Sequence, residues 1–511
     1  MKYYLYILFF LLLTGCCPAS VIKTQSPNIV IFVIDGCRPD CLELASTPNI
    51  QQLMKEGATY SNSWVGGLRN ISTPSHAMLG TGAFSRRNGI VCEFQKNPDN
   101  IDEMGFYNSW DEIISGNFEK RLDRRGITSI AKLYKEANPE SVTVSLSASR
   151  FFAASAMGYG CDYILFNDSF KAWTMQRDKV YEVMGKGSEK LDIHIPVQKD
   201  DDDKGFLDRN QADEDEWATD LALAMINKCH PGLLMINLPA TDYMGHTTND
   251  YFGENSVMKQ NIENVDSQIG RIMEEYRKLG IYDNTVWVVC SDHGMSPAFH
   301  WISEQSIRDA AKCNMTDNPE FYCDKDPKTV SESIMNAKIE GIKGAYYKND
   351  NQYYLSDGSD ISDSLDECFQ YLLSTEASDF GHDVALIEKQ NWRSDWYKFY
   401  PNPSIANHET ISWNDQHIVM IISGKGVRCN MISSSPARIV DIAPTVLKLS
   451  EIDSSNMDGL VLADCMRNKD RLDVENQNKL NIWLSPLSLA LKNESLKDLR
   501  ENEIEFSREE K

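Results

Sequence analysis

The chain has 511 residues, of which 42% are apolar and 10% aromatic. This length and composition are sufficient for a large core, or for one large domain that carries insertions. The formal net charge is −24, from 51 basic and 75 acidic residues. Such a surface repels phosphate backbones, which argues against a nucleic acid duplex as a partner. An anionic substrate would need a local source of positive charge, such as bound metal ions.

The N-terminus has the pattern of an export signal. Lys2 precedes an apolar run over residues 3–13, which is shorter than the ~18 residues of a membrane-spanning helix. The tetrapeptide LTGC, which ends at Cys16, resembles a bacterial lipoprotein cleavage site, so residues 1–20 are predicted to be a lipoprotein-type signal peptide. Cleavage near Ala19 without a lipid is the alternative. We expect a location in the cell envelope or periplasm, with membrane contact only through the lipid on Cys16, or secretion if the lipoprotein site is not used.

The chain has 13 cysteines, which is compatible with export because disulfides persist in oxidising compartments. Two pairs are close in sequence and are the first candidates for disulfides, Cys37 with Cys41 and Cys313 with Cys323. The chain has no two Cys-x-x-Cys motifs, so a structural zinc ribbon is not supported.

Apolar segments rich in β-branched residues predict strands that are buried on both faces of a sheet. In chain order they cover residues 28–36, 142–149, 232–242, 284–294 and 417–426, with 142–149 the weakest pattern. Helical patterns lie between them, among them residues 46–57, 128–137 and 263–280. Alternation of strands and helices at this spacing predicts an α/β fold, in which helices flank a mostly parallel central sheet.

Two regions interrupt this alternation, and they predict insertions into a main domain that covers residues 28–470. One lies at about 95–215 and includes a polar, acidic part, and the other lies at about 296–400 and is rich in Asp, Asn and Tyr. Residues 471–511 are predicted to form a C-terminal helix and a charged tail.

Metal-binding residue types occur at or shortly after the ends of three of the predicted strands, and His408 shortly precedes the fifth. They are, in chain order, Asp35, Asp242, His246, Asp292, His293 and His408. In sheets of this kind, active sites lie at the carboxyl ends of the strands. A single Asp at such a place is commonly a cap or turn residue, but carboxylates and imidazoles gathered at one edge are the ligands that a pair of zinc ions needs.

A turn rich in hydroxyl groups follows the first strand, with the sequence Ser72-Thr73-Pro74-Ser75-His76. A proline at this place is typical of the first turn of a helix. Two metal ions ~3.5–4 Å apart can bind the attacking and leaving oxygens of a phosphoryl transfer. A hydroxyl beside such a cation is activated as a nucleophile, and the free N–H groups of a helix N-terminus favour a phosphate. The turn is therefore a candidate for the nucleophile.

Five motifs resemble those of the alkaline phosphatase superfamily. They are VIDGCRPD at residues 33–40, STPSHAMLGTG at 72–82, DYMGH at 242–246, SDHGM at 291–295, and RIVDIAPTVLKL followed by MDGLVL within 438–462. The sequence is most similar to the nucleotide pyrophosphatase/phosphodiesterase branch (type I phosphodiesterases), over residues 28–95, 230–300 and 405–465. The resemblance implies a zinc-dependent hydrolase that cleaves phosphodiester or pyrophosphate bonds of a small phosphate ester, such as a nucleotide, through a phosphoserine intermediate.

The resemblance also implies two Zn²⁺ ions per chain and a set of ligands for each. The first set is Asp242, His246 and His408, and the second is Asp35, Asp292 and His293 together with the nucleophile. In the family the nucleophile lies two residues before the proline, which corresponds to Ser72. Thr73 is the less favoured alternative, and a helix cap without a catalytic role is a further one.

Two positions depart from the family pattern. The phosphodiesterase branch usually has an Asn that binds a phosphate oxygen soon after a His-Gly-Ile motif, whereas here Glu93 is nearest to that place. A carboxylate there would repel a phosphate. The secreted monoesterases have a Lys-x-Arg after a strand, and here only the arginine, Arg150, is present. Both residues are candidates for substrate contacts, and the preference for monoesters or diesters stays open.

Three other functions also stay open. One is a phosphomonoesterase (an alkaline phosphatase) of the same superfamily. Another is a sulfatase, although in that class an Arg two residues after the proline directs formation of formylglycine, and this chain has His76 there. The third is an inactive module that binds zinc or another ligand, which is disfavoured because all six predicted metal ligands are present.

Overall fold

The computed structural model describes residues 26–167, 182–193, 195, 212–248, 256–316, 319–395 and 406–509. The predicted signal peptide, with Cys16, lies outside these residues. Within the described residues, no helix combines the length and the apolar character that crossing a membrane requires.

A nine-stranded sheet forms the centre of the molecule. From one edge to the other its strands are Met431–Ser433, Gly57–Tyr60, Met420–Gly424, Thr285–Cys290, Asn28–Ile34, Leu233–Leu238, Thr143–Leu146, Tyr163–Asn167 and Val183–Lys186. All five predicted strands belong to this sheet, and helices flank it. The predicted α/β architecture is therefore confirmed.

The sheet is mostly parallel, as predicted, with one exception that matters for the site. Asn28–Ile34 is parallel to both of its neighbours, Thr285–Cys290 and Leu233–Leu238. Met420–Gly424, in contrast, is antiparallel to Thr285–Cys290. The start of Met420–Gly424 therefore lies at the edge where the parallel strands end, and residues that precede it reach that edge.

The strand Asn28–Ile34 is buried on both faces, as its continuous apolar sequence predicts. Ile29, Ile31 and Val33 belong to the apolar cluster on one face, and the alternating residues Val30 and Phe32 belong to the cluster on the other. This alternation follows from the period of two in a strand. Helices cover both clusters, so the sheet is the middle of three layers.

Helices account for much of the remaining described chain. They are Pro39–Leu44, Pro48–Glu56, Ser72–Thr81, Ser85–Asn88, Trp110–Ile114, Asn117–Arg124, Ile130–Ala137, Phe151–Met157, Ala212–Cys229, Ala240–Thr247, Val257–Lys278, Glu304–Ala311, Pro327–Ala337, Asp363–Ser374, Trp413–Gln416, Ile442–Leu449 and Arg471–Glu509. Each of the three predicted helical segments coincides with one of them.

A second, four-stranded sheet lies within the predicted insertion at 296–400. Its strands are Glu320–Phe321, Val384–Glu388, Ile342–Asn349 and Gln352–Leu355, in that order. We call this sheet and its helices the cap. The range of the other predicted insertion, 95–215, contains two strands of the central sheet, Thr143–Leu146 and Tyr163–Asn167. The first of them is the strand predicted at 142–149.

The cysteines in the described part of the chain are free thiols, the candidate pairs Cys37/Cys41 and Cys313/Cys323 included. Cys37 Sγ donates to the carbonyl of Arg38, and Cys323 Sγ donates to the carbonyl of Lys325. These thiols have local backbone acceptors, and the expected disulfides are not formed.

The C-terminal helix Arg471–Glu509 packs on the cap helix Asp363–Ser374. Leu484 is fully buried in the apolar cluster that the two helices share. Ser495 Oγ accepts a hydrogen bond of 3.0 Å from the backbone N–H of Trp413, which belongs to the catalytic part of the chain. The helix therefore connects the cap to the central domain.

We predict that Leu484→Ala lowers the free energy of unfolding by about 2–5 kcal/mol, because it leaves a cavity where this helix packs. Ile482, two residues away, is 79% exposed, so Ile482→Ala should change stability by less than ~0.5 kcal/mol. Urea unfolding followed by tryptophan fluorescence compares the two variants. Equal stability of both would contradict the packing described here.

Candidate active site

The six predicted metal ligands converge at the carboxyl edge of the parallel strands. Asp35 directly follows Asn28–Ile34, and Asp292 and His293 follow Thr285–Cys290. Asp242 and His246 lie one turn apart on the helix Ala240–Thr247, which begins soon after Leu233–Leu238. His408 comes from the segment that precedes the antiparallel strand Met420–Gly424.

Gly36 allows two of these segments to approach each other closely. Its φ is +67°, and a Cβ at this position would lie 2.9 Å from Asp242 Cα. Its backbone N–H donates a hydrogen bond of 3.0 Å to Asp292 Oδ1. The residue after Asp35 therefore has to be small and left-handed, which a glycine permits.

Asp242 is the centre of one half of the site. Its Oδ1 lies 3.2 Å from His246 Nε2 and 3.5 Å from His408 Nε2. The rings of His408 and His293 stack with their centroids 3.7 Å apart. One carboxylate oxygen thus faces the Nε2 atoms of two imidazoles.

His293 lies between the two halves of the site. Its Nε2 is 3.3 Å from Asp292 Oδ2, 3.5 Å from Asp35 Oδ1 and 4.0 Å from Asp242 Oδ1. The predicted assignment of His293 to Asp35 and Asp292 is compatible with these distances. The same ring is also close enough to Asp242 to complete the other half.

The tautomers of the three imidazoles follow from their other nitrogen atoms. The Nδ1 atoms of His246, His293 and His408 lie 2.9–3.1 Å from the backbone carbonyls of Ala406, Gly294 and Asn70, respectively. A carbonyl oxygen can only accept, so each Nδ1 carries the proton. Each Nε2 then faces the carboxylates, where it can bind a metal ion in place of a proton, an arrangement typical of metal-bound histidines.

The residues of the site fit a pair of metal ions. Asp242 Oδ1 and Asp292 Oδ2 are buried and accept no hydrogen bond, and an unsatisfied buried carboxylate oxygen is costly without a cation. Two groups have ligand atoms within 4.8 Å of one another, Asp242 with His293 and His408, and Asp35 with His76 and Asp292. This grouping differs from the predicted one, because His76 joins the second group and His293 joins the first.

The charges of the site point to the same conclusion. Burial and the neighbouring Asp35 raise the pKa of Asp292 to about 6. Burial also raises the pKa of Asp35, and Asp242 raises it further. Burial alone would lower the pKa of His293, but the three carboxylates raise it to about 9. Carboxylates this crowded need a positive charge between them.

Ser72 is the hydroxyl that faces this group of ligands. It is the first residue of the helix Ser72–Thr81, and its Oγ lies 3.3 Å from Asp35 Oδ1 and 3.3 Å from His293 Nε2. Thr73 Oγ1, in contrast, is buried and has no hydrogen-bond partner. The geometry therefore favours Ser72 over Thr73 as the nucleophile.

Arg150, a weak candidate from the sequence, lies inside the site. Its Nη2 donates a hydrogen bond of 2.8 Å to Asp242 Oδ2. Burial would lower the pKa of this guanidinium, but Asp242, Asp35 and further carboxylates raise it. Glu93 is exposed, and its charge is one of those that act on Arg150.

Sequence reasoning missed three buried polar residues next to the ligands. His76 served only as evidence against a sulfatase, yet its Nδ1 lies 3.4 Å from Asp292 Oδ2. Asn237 donates to Asp35 Oδ2 at 2.9 Å, and Ser147 Oγ donates to Asn237 Oδ1 at 2.8 Å. The one signal for Asn237 is a polar residue inside an otherwise apolar strand.

Two solved structures have the same fold. The crystal structure of wild-type alkaline phosphatase PafA has a TM-score of 0.63 at 14% identity, over 86% of this chain and 99% of that chain. An inactive form of murine ectonucleotide pyrophosphatase/phosphodiesterase 5 (ENPP5), in complex with AMP, has a TM-score of 0.57 at 14% identity, over 88% of this chain and 99% of that chain.

Sequence comparison identifies the family. Human bis(5'-adenosyl)-triphosphatase ENPP4 (Homo sapiens) is 22% identical over 302 residues, which make up 58% of this chain and 53% of that protein. The match thus spans about half of the length of this relative. A family model described as type I phosphodiesterase / nucleotide pyrophosphatase matches residues 29–412. Because this match covers most of the chain, the protein belongs to the type I phosphodiesterase / nucleotide pyrophosphatase family.

Proposed function

We propose that the protein is an exported two-zinc phosphoesterase that hydrolyses phosphodiester or pyrophosphate bonds through a phosphoserine intermediate on Ser72. The family supports a hydrolase that acts on phosphoester bonds. The observation that carries the finer proposal is the position of Ser72 Oγ, at 3.3 Å from both Asp35 Oδ1 and His293 Nε2. The Ser72 hydroxyl thus lies within reach of a carboxylate and an imidazole that are both predicted metal ligands.

Each zinc ion would have its own ligands. Asp242, His246 and His408 would bind one ion, and Asp35, Asp292, His293 and Ser72 the other, as predicted from the sequence. When bound, the two ions would supply positive charge to the attacking and leaving oxygens of the reaction. The Nδ1–H bonds of the three histidines support their role as ligands, because they leave each Nε2 free to coordinate.

The residues of the chain would carry out a two-step phosphoryl transfer. Ser72 Oγ would lose its proton to solvent and form a bond to phosphorus in line with the bond that breaks, and the leaving group would depart with its oxygen and take up a proton from solvent. Arg150 would donate to a phosphate oxygen while it keeps its bond to Asp242, since a guanidinium has several N–H donors. Water would then cleave the phosphoserine and restore Ser72. The protein contributes mainly positioning and charge, as expected for phosphoryl transfer.

The substrate we propose is a small phosphate ester, a nucleotide being the first candidate. One relative is named as a bis(5'-adenosyl)-triphosphatase, and one structural neighbour was solved with AMP. A phosphomonoesterase is the second candidate, and the position of Arg150 in the site favours it. A sulfatase and an inactive binding module are the remaining alternatives, and the experiment below separates them.

Turnover of a panel of substrates, with zinc added, tests the proposal. The panel contains a nitrophenyl nucleotide diester, a dinucleoside pyrophosphate, nitrophenyl phosphate and nitrophenyl sulfate. We expect the diester or the pyrophosphate to have the highest kcat/KM. Preference for the monoester would support the alkaline phosphatase alternative, and turnover of the sulfate alone would support the sulfatase. No turnover, with less than one zinc per chain, would support the binding module.

We predict that Ser72→Ala lowers kcat by at least ~10³-fold, because it removes the nucleophile. The zinc content should persist, since the other ligands are unchanged, and metal analysis of the purified variant checks this. Thr73→Val is the matched control, because Thr73 Oγ1 has no hydrogen-bond partner to lose. Near-normal turnover of Ser72→Ala together with an inactive Thr73→Val would move the nucleophile to Thr73.

Removal of metal with a chelator should abolish turnover and lower the melting temperature. Asp35, Asp242 and Asp292 would then repel one another without a cation between them. A ligand at 1,000 times its Kd stabilises a protein by about 4 kcal/mol, so differential scanning calorimetry should detect the loss. Zinc should restore both properties. Chelator-treated protein that metal analysis shows to be free of zinc, and that keeps its full activity and melting temperature, would disprove the metal dependence.

A further inference from the structure

We propose that Asn237 is a positioning residue, which orients the metal ligand Asp35 and, through His76, the first turn of the helix that carries Ser72. The inference rests on the proposed function, because it concerns how that site is held. Asn237 lies in the strand Leu233–Leu238 and is fully buried. It interrupts an otherwise apolar strand, and a buried amide is costly unless its polar atoms are hydrogen-bonded.

The side-chain amide of Asn237 makes three hydrogen bonds. Its Nδ2 donates to Asp35 Oδ2 at 2.9 Å and to His76 Nε2 at 3.0 Å. Its Oδ1 accepts from Ser147 Oγ at 2.8 Å. The opposite orientation of the amide would direct its carbonyl oxygen at the carboxylate of Asp35, where two acceptors would repel. The network therefore fixes which way the amide points.

The orientation of Asn237 determines the tautomer of His76. Because Nε2 of His76 accepts from the amide, the proton of this neutral ring is on Nδ1. Nδ1 then donates to the backbone carbonyl of Ser72 at 2.7 Å. Hydrogen bonds thus run from Ser147 through Asn237 and His76 to the residue that carries the nucleophile.

The same amide fixes the carboxylate of Asp35. Its bond occupies Oδ2, so the other oxygen, Oδ1, faces Ser72 Oγ at 3.3 Å and His293 Nε2 at 3.5 Å. A carboxylate without this bond could rotate and offer either oxygen. Groups that hold metal ligands in this way typically contribute 10–100-fold to metal affinity or activity.

Asn237→Leu removes the three hydrogen bonds and keeps a side chain of similar volume. Ser147→Ala is a milder second variant that removes only the bond to Asn237 Oδ1. Ser145→Ala is the matched control, because Ser145 is also fully buried on the same segment, but its Oγ donates to the carbonyl of Ala154. Zinc affinity, from competition with a chelating dye, and kcat and KM are measured for the wild type and all three variants.

We expect zinc binding to weaken about 10–100-fold in Asn237→Leu and less in Ser147→Ala, with a fall in kcat larger than any change in KM. Ser145→Ala should match the wild type in both. A purely structural role would instead lower the melting temperature of the metal-free protein and leave zinc affinity unchanged. Wild-type zinc affinity and kcat in a folded Asn237→Leu would overturn the proposal.

The tautomer of His76 gives a readout that needs no metal. In ¹⁵N-edited NMR of the metal-free protein, the His76 signal, assigned by its absence in His76→Gln, should show a proton on Nδ1. The signal should change in Asn237→Leu and not in Ser145→Ala. A proton on Nε2 in the wild type would overturn the network. A wild type that binds no zinc would overturn the proposed function, while the NMR result still decides how Asn237 acts on His76.

Discussion

Three carboxylates are buried side by side at one edge of the central sheet, and the surrounding structure compensates their charge. Asp35, Asp242 and Asp292 are each at most 2% exposed, and desolvation of such groups is costly unless cations pair with them. The nearby imidazoles donate their protons to backbone carbonyls and turn their lone pairs toward the carboxylates. A metal ion bound here would pair with the carboxylates and with the Nε2 atoms together, and the Ser72 hydroxyl lies 3.3 Å from one group of each kind.

The path of the chain explains how residues far apart in sequence meet at this edge. Three parallel strands are followed, after their carboxyl ends, by Asp35, Asp242 and Asp292, and sites in such sheets generally lie at this edge. His408 arrives by another route, because the strand that follows it, Met420–Gly424, runs antiparallel to its neighbour Thr285–Cys290. A strand of reversed direction thus adds a ligand from its beginning to a site that is otherwise formed by strand ends.

Much of this fold was predictable, because a strand that is buried on both faces must be apolar throughout. Segments such as 28–36 and 284–294 have this continuous apolar sequence. The candidate metal ligands could be named because Asp and His next to the strands stand out against that background. The grouping of these residues into two sets could not be predicted, since the position of the His293 ring between both halves of the site depends on side-chain rotamers and contacts. Asn237 gave no signal beyond one polar residue in a strand, because its partners, Ser147 and His76, come from remote parts of the sequence.

The C-terminal helix imposes an order on the assembly of the molecule. Arg471–Glu509 packs on the cap helix Asp363–Ser374 and bonds to the backbone of Trp413, and it follows both in the chain. During synthesis, therefore, the cap and the sheet can each collapse locally before the segment that joins them exists. The apolar surface around Leu365 and Phe369 shares a buried cluster with this helix and lacks that cover until the last residues are made, and exposed apolar surface of this kind favours aggregation.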